Sequence, residues 1–217
     1  EYLPDYEFKL WNEETFNISS SEWCKGAYEN KKYAFVADYV RLIVLYENGG
    51  IYLDTDEKME KSLNPFVEKD IAFMGFEDGK VLSMGVMGFP PKHHLIAELL
   101  EYYNQPFSMD IIKKNVSNAV AATNYLVKKY GLKTDNSEQI IENVHIYPRT
   151  YFNAMDFFGN WDRSLNTTTV HLYMGSGLPD TEREKLNRRK TLYWKFSKWI
   201  WVHTGLQKIK GYIIRNS

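Results

Sequence analysis

The sequence predicts an α/β fold on three observations: strand-like and helix-like segments alternate, a dense helical run is stopped by Asn48-Gly49-Gly50, and the short apolar run that follows ends in acid. Such alternation lays strands into one sheet with helices packed on it, and ligands gather at the carboxyl ends of the strands. The first element, Tyr6-Glu7-Phe8-Lys9-Leu10-Trp11, alternates in polarity and predicts a half-buried edge strand. Over residues 31–47, Tyr33, Ala34, Ala37, Val40, Leu42, Val44 and Leu45 predict a helix buried on most sides, ended by glycine, which accepts the left-handed backbone of a helix terminus. Ile51-Tyr52-Leu53 then predicts a buried strand running into Asp54. Further strands are expected over 70–76, 81–89, 144–147 and 168–173. Pro90-Pro91 opens a helix toward Tyr103, and a second helix over 117–130 stops at Gly131.

With 217 residues, 44% of them hydrophobic and 16% aromatic, the chain can bury one sizeable core. The expected organisation is one domain over residues 1–190 and a C-terminal segment, 191–217, of different character. In that segment Tyr193, Trp194, Phe196, Trp199, Ile200, Trp201 and Ile209 interleave with Lys195, Lys198, Lys208, Lys210 and Arg215. It either packs an aromatic face on the domain or makes peripheral contact with an anionic membrane surface, and the two are compatible. The formal net charge of −1, from 27 basic and 28 acidic residues, provides no field for nucleic acid, so no nucleic-acid partner is expected. The single cysteine, Cys24, excludes an internal disulfide and a cysteine-rich zinc site, and it fits a reducing compartment. No apolar run approaches the roughly 20 residues of a bilayer span, and Glu1 begins no signal peptide, so a soluble chain is expected.

The chemistry is concentrated at Asp54-Thr55-Asp56. Two carboxylates one residue apart at the end of a buried strand repel each other unless a cation or basic group lies between them. A divalent cation is the economical answer. Hard oxygen ligands suit Mg²⁺ or Mn²⁺, which keep positions open for phosphate oxygens. The site therefore expects a diphosphate, and the cation would stabilise the charge developing on a departing nucleoside diphosphate. Asp38 and Arg41, three apart, share a face of the preceding helix, and a helix returning to the strand aims that face at the same cleft. An arginine and an aspartate there suit contacts to sugar hydroxyls.

The run Ala34-Phe-Val-Ala-Asp38-Tyr-Val-Arg41-Leu-Ile-Val-Leu-Tyr-Glu-Asn-Gly-Gly-Ile-Tyr-Leu-Asp54-Thr-Asp56 closely resembles the sugar-binding region with a DXD motif found in capsular polysaccharide glycosyltransferases and fungal initiating mannosyltransferases. The clostridial glucosylating toxins share its core. Tyr2-Leu-Pro-Asp-Tyr-Glu and Trp11-Asn12-Glu13 resemble the segment just upstream, and weaker similarity runs through Phe73-Met-Gly-Phe76 and Met84-Gly-Val-Met-Gly88. The resemblance implies the A-type glycosyltransferase (nucleotide-diphospho-sugar transferase) fold, a nucleotide-sugar donor, read as a UDP-sugar, Mn²⁺ or Mg²⁺, and retention of anomeric configuration. It also implies that Asp38 and Arg41 bind the transferred sugar, that Asp54 touches sugar or ribose, and that Asp56 ligates metal. Tyr39 and Thr55 join the donor contacts, and Arg41, Asp54 and Asp56 form the catalytic set.

Val170-His171-Leu-Tyr-Met-Gly175-Ser176 resembles the family's late His-x-x-x-x-Ser motif, which implies that His171 and Ser176 contact metal or diphosphate. Gly177 stands where the family commonly has tryptophan. Family members usually begin with a further strand and short helix carrying aromatic contacts to the base, and this chain begins after them, so the fold is expected without its first strand. The remaining histidines say little: His93 and His94 read as surface residues. Ser83 and Met84 sit where related proteins face the acceptor, and Glu77-Asp78 is either a solvated turn or a second acidic site for the acceptor hydroxyl.

The expected reaction is metal-dependent transfer to a saccharide or lipid-linked oligosaccharide acceptor, in capsular or surface polysaccharide synthesis at the cytoplasmic face of the membrane. Nothing stands out as a covalent nucleophile, and same-face attack assisted by the leaving phosphate needs none. Two other readings compete. Aspartyl-phosphate phosphatases also place Asp-x-Asp after a hydrophobic strand, but usually have Thr or Val where this chain has Lys58. A non-catalytic carbohydrate-binding module would use the many tyrosines and tryptophans.

Overall fold

The computed structural model describes residues 2–69, 72–110, 117–157, 159–174 and Glu184. Two compact units make up the chain, residues 1–156 with 161–172, and residues 157–160 with 173–217. In the second, Phe157 and Tyr173 meet edge to face at 5.6 Å. The predicted tail, 191–217, and Ser176 lie outside the described residues.

The first unit carries the sheet and the acids. Helix α1 (Glu22–Glu29) is capped by Ser21, whose side chain accepts from Cys24 N. Helix α2 (Tyr33–Asn48) follows almost as its apolar run predicts, burying Val36, Leu42, Val44 and Leu45, and with them Arg41. A guanidinium among core aliphatics needs partners, so its position marks the site before any ligand is considered. Gly49 ends the helix at φ +67°, with its N–H on Leu45 O at 2.8 Å. A Cβ there would meet Pro91 Cδ at 2.6 Å, so glycine is required both by conformation and by space.

Strand β1 (Gly50–Leu53) leaves this turn, and β2 (Glu57–Met59) follows it after Asp54 and the two turn residues Thr55 and Asp56. After α3 (Asn64–Lys69) come β3 (Ala72–Phe76), β4 (Leu82–Phe89) and α4 (His94–Leu100). Then follow α5 (Asn118–Tyr130), β5 (Gln139–Ile141), β6 (Val144–Tyr147), α6 (Arg149–Phe152) and β7 (Thr169–His171). The sheet order is β1-β4-β3-β6-β5, with β3 and β6 parallel and the other pairs antiparallel. This mixed α/β sheet is the class predicted.

Every residue of β3 and β4 is buried, so these strands are apolar on both faces. Alternation divides them: Met74 and Met87 join Trp23, Leu42, Leu45 and Leu126 on one side, while Phe73 and Val86 join Phe66, Tyr147 and Phe152 on the other. Ser117 caps α5 by accepting from Val120 N, and Gly131 closes it in the left-handed region.

Three expectations change. Residues 6–11 are extended but form no strand, and Phe8 and Leu10 are 72% and 66% exposed. Among the described residues no strand runs beside them, and alternation without a neighbour makes no ladder. The late strand is only Thr169–His171, and it pairs with β2 in a separate ribbon. His93, read as a surface residue, is buried and caps α4 through Nδ1, which accepts from Leu95 N at 3.2 Å. The short elements α1, β2, α3, β5 and α6 escaped the periodicity because few of their positions repeat.

Candidate active site

Arg41 holds the first half of the site. Its Nη1 donates to Met84 O at 2.7 Å and faces Asp54 Oδ2 at 3.4 Å. Its Nη2 lies 3.4 Å from Asp38 Oδ1, its Nε donates to Ala37 O at 3.3 Å, and its plane lies 5.0 Å from the Tyr52 ring centre. The helix face thus meets the end of β1, as the three-residue spacing expects. Tyr52 completes the lock, its hydroxyl donating to Asp54 Oδ1 at 2.8 Å. Burial opposes the charge on Arg41, and Tyr52, Asp54 and Asp38 outweigh it, so the guanidinium stays ionised.

Asp38 sits deeper. Burial raises its carboxyl to about 6, Arg41 pulls it back and Asp54 adds to the rise. Its Oδ1 also accepts from Asn118 Nδ2 at 2.7 Å, a partner 80 positions along the chain at the start of α5. No motif pointed to Asn118, because only the packing of α5 on the sheet brings it there. Tyr39, expected among donor contacts, packs edge to face on Phe16 at 6.3 Å and Tyr103 at 5.8 Å. Thr55 is exposed in the turn after β1.

The second half is the β2–β7 ribbon. Glu57 is the register partner of His171. His171 Nε2 lies 3.2 Å from Asp56 Oδ1, and ligand atoms of Asp54, Asp56 and His171 all lie within 4.8 Å of one another. Burial pulls the imidazole down, but the Asp56 hydrogen bond and the charges of Glu57, Asp56 and Asp54 raise it above its usual range. Three of the four expected metal-site residues therefore converge, and the fourth, Ser176, is outside the described residues.

Glu57 was not anticipated. Both its carboxylate oxygens are sealed from solvent and have no hydrogen-bond partner, and the nearby Thr169 hydroxyl donates to Phe152 O instead. Burial first, then Asp54 and Asp56, push its carboxyl up to about 8 against the pull of His171. The only signal in the sequence was a third acid directly after Asp56. Gly85 makes room: a Cβ there would stand 2.9 Å from Glu57 Oε1 and 3.1 Å from Asp54 Oδ2. Two carboxylates and an imidazole with ligand atoms within 4.8 Å of one another fit a divalent cation held by oxygen and nitrogen.

Two cavities flank the Arg41 knot. One, of about 230 Å³, is lined by Trp11, Phe16, Tyr28, Tyr33, Ala37 and Tyr52, so its wall includes the tyrosine bonded to Asp54. The other, of about 350 Å³, is mostly apolar and includes Leu42, Met84, Leu99, Tyr103 and Asn118, with Glu98 and Glu101 but no cationic lining residue. Ser83 and Met84, expected to face the acceptor, are buried, and Met84 enters the site through its carbonyl. Asp78 is a turn residue, its Oδ1 accepting from Lys80 N and Val81 N at 2.9 and 2.8 Å.

A mixed α/β sheet whose edge strand ends in Asp-x-Asp, braced by a buried Asp–Arg pair, is the arrangement that the likeness to DXD glycosyltransferases leads one to expect. Residues 1–72 match the glycosyltransferase sugar-binding region containing a DXD motif, which bears out the likeness read from Ala34 to Asp56. The chain is similar to inositol phosphoceramide mannosyltransferase 3 of Schizosaccharomyces pombe, at 33% identity over 101 residues, 45% of this chain and 28% of that protein. It is similar to the mannosyl phosphorylinositol ceramide synthase SUR1 of Saccharomyces cerevisiae, at 32% over 102 residues, 45% of this chain and 26% of that protein. Inositol phosphoceramide mannosyltransferase 2 of S. pombe matches at 25% over 150 residues, 66% of this chain and 43% of that protein. The matches thus span less than half the length of these relatives. No solved structure matches the chain.

Proposed function

We propose that this chain is the catalytic core of a metal-dependent, retaining glycosyltransferase that moves a hexose from a nucleoside-diphosphate sugar to an acceptor hydroxyl. The observation that carries this is the convergence of Asp38, Arg41 and Asp54 on one side, and Asp56 and His171 on the other, around a single strand end. Asp38 and Arg41 would take sugar hydroxyls, and Tyr52 keeps Asp54 oriented. The aromatic cavity at Trp11, Tyr33 and Tyr52 has the size and stacking surface for a nucleoside base. Asp54, Asp56 and His171 would hold Mn²⁺ or Mg²⁺, which when bound neutralises the departing diphosphate. No residue here is poised as a covalent nucleophile, since Asp54 is engaged by Arg41 and Tyr52. The same engagement disfavours the aspartyl-phosphate phosphatase reading, which needs that acid free to attack.

The named activity of the relatives favours mannose, and the likeness to capsular enzymes favours a UDP-sugar and a role in surface polysaccharide synthesis. The acceptor we propose is a lipid-borne saccharide or polyol. The apolar 350 Å³ cavity supports this, because it shares Met84, Tyr103 and Asn118 with the surroundings of Asp38 and Arg41 and has no cation to hold phosphate. Work at the inner face of a membrane, with the 191–217 segment in peripheral contact, completes the proposal. Liposome flotation of the full chain against one ending before Thr191 tests that segment, and equal flotation removes the membrane role.

A panel of nucleotide sugars, each with Mn²⁺ and with EDTA, scored by release of nucleoside diphosphate, tests the reaction. Metal-dependent turnover of one donor is expected. Release of phosphate from simple esters, or sugar binding indifferent to both chelator and nucleotide, would overturn it.

A further inference from the structure

The loop that leads into β7 turns two apolar side chains outward. Trp161 is 50% exposed and Leu165 is 91% exposed, the highest value among the large hydrophobic residues described. A lone apolar residue on a surface needs no explanation, but these two stand among cations. The Arg163 guanidinium lies over the Trp161 ring at 4.1 Å, and Lys61 donates through Nζ to Leu165 O. Exposed Lys58 joins them from β2. The acids of residues 58–61 and 161–165 are already matched: Glu60 meets Lys58 at 3.4 Å and Arg163 at 2.7 Å, and Asp162 lies 3.9 Å from Arg149. Lys58, Lys61, Arg149 and Arg163 therefore outnumber Glu60 and Asp162, and the surface is left positive.

Hydrogen bonds hold the tip outward. Ser164 N donates to Thr167 Oγ1 at 2.9 Å, Thr167 N to Ser164 O at 3.2 Å and Asn166 N to Ser164 Oγ at 3.1 Å. Thr167 Oγ1 donates to Thr150 O at 2.8 Å and Asn166 Nδ2 to Tyr151 OH at 2.9 Å, which fastens the turn to α6. Leu165 cannot fold back onto the domain without breaking these bonds, so its exposure is a fixed property of the turn.

An aliphatic tip, an indole stacked under a guanidinium and flanking lysines match the boundary between acyl chains and anionic headgroups. The leucine gains by leaving water, the indole suits the headgroup level, and the cations face phosphates. Surfaces that dock proteins also favour tryptophan and arginine but are depleted in lysine, so Lys58 and Lys61 weigh toward lipid.

We propose that the 161–165 loop, with Lys58 and Lys61, is a docking surface for an anionic lipid membrane, Leu165 entering the acyl boundary and Trp161 resting among headgroups. This surface is separate from the 191–217 segment, and it depends on neither the metal nor the donor reading. The same loop continues through Thr168 into β7, where His171 faces Asp56, so docking fixes that end of the site relative to the bilayer.

The test uses the full chain carrying a nitrobenzoxadiazole probe on Leu165→Cys or, as control, on Ile140→Cys in β5, which is also exposed. Cys24 is buried, and the unsubstituted chain put through the same labelling corrects for it. Vesicles are phosphatidylcholine alone or an equimolar mixture with phosphatidylserine. On the anionic vesicles, emission from position 165 should shift to the blue, position 140 should stay aqueous, and added salt should weaken the effect. In flotation, the full chain with Trp161→Ser and Leu165→Ser should partition at least ~10-fold more weakly than wild type, and Lys61→Ala about 5-fold more weakly. The replaced side chains are exposed, and circular dichroism checks that each variant is folded. Vesicle binding with position 165 still aqueous, or equal partitioning of wild type and the double variant, assigns membrane contact to another part of the chain and overturns the proposal. Absence of binding to anionic vesicles overturns it as well. A blue shift that needs no vesicles and grows with protein concentration means that the loop meets a second copy of the chain instead.

Discussion

Two acid clusters lie on either side of Asp54, and they meet the cost of burying negative charge in different ways. Asp38 and Asp54 share Arg41, whose guanidinium also satisfies a main-chain carbonyl, and Tyr52 and Asn118 supply further donors. Asp56 lies 3.2 Å from His171, the register partner of Glu57, and burial pushes the Glu57 carboxyl up to about 8. The first cluster carries its own cation, the buried Arg41 guanidinium. The second meets it through the protonated forms of Glu57 and His171, both of whose pKa values are raised there. The two clusters thus differ in what offsets the acids: a fixed guanidinium in the first, and bound protons on Glu57 and His171 in the second.

Substitutions can break that contrast. Arg41→Ala leaves Asp38 and Asp54 buried without compensation, and its cost should be the largest, about 3–5 kcal/mol in thermal or denaturant unfolding. Asp56→Ala should act oppositely on stability and function: unfolding unchanged or slightly improved, because repulsion with Glu57 is relieved, yet donor hydrolysis reduced by roughly 10²-fold or more. A large loss of stability in that variant would show that Asp56 is structural. Gly85→Ala should weaken Mn²⁺ binding about 10-fold, because its Cβ would crowd Glu57 Oε1 at 2.9 Å and Asp54 Oδ2 at 3.1 Å.

A smaller effect follows pH. The carboxyl of Asp38 is raised from 3.8 to about 6 in the folded chain, so the fold binds that proton more readily than the unfolded chain does. The ionised form therefore costs stability above pH 6, and that cost is relieved as pH falls from 6 toward 4. Measured against Asp38→Asn, wild type should gain relative stability over that window, while donor affinity, which needs the ionised carboxylate to accept sugar hydroxyls, should fall. An unchanged difference between the two chains across the window would place Asp38 outside this linkage. Lys58→Ala marks the lower limit. Its ammonium is exposed and pairs only with Glu60 at 3.4 Å, so both stability within about 0.5 kcal/mol and donor turnover should survive. Loss of turnover would reopen the phosphatase reading.

The site was legible to different depths. Asp38, Arg41, Asp54 and Asp56 stand within nineteen consecutive positions, 38–56, on a helix, a glycine turn and a strand whose patterns are strong. Local geometry therefore carries them to one place. His171 was legible only by resemblance, and it reaches Asp56 because β7 pairs with β2, a ribbon of three residues a side that periodicity does not reveal. Trp11 was read as the end of a strand and instead lines a cavity with Tyr33 and Tyr52. The segment over 6–11 had the right alternation for a strand but no described neighbour, a reminder that polarity patterns specify a face and not a partner.

By itself the sequence determined the α/β class, the buried helix with its glycine stop, and the acids at the end of β1, because each depends on contacts between near neighbours in the chain. Tertiary structure alone decided that Asn118 would meet Asp38, that Gly85 would leave a space against Asp54 and Glu57, and that Glu57 would be sealed without a donor. Those outcomes depend on sheet register and on the packing of α5, where side chains far apart in the chain fill or leave a few ångströms of room. Burial in that setting, rather than residue type, pushes an ordinary glutamate up to about 8.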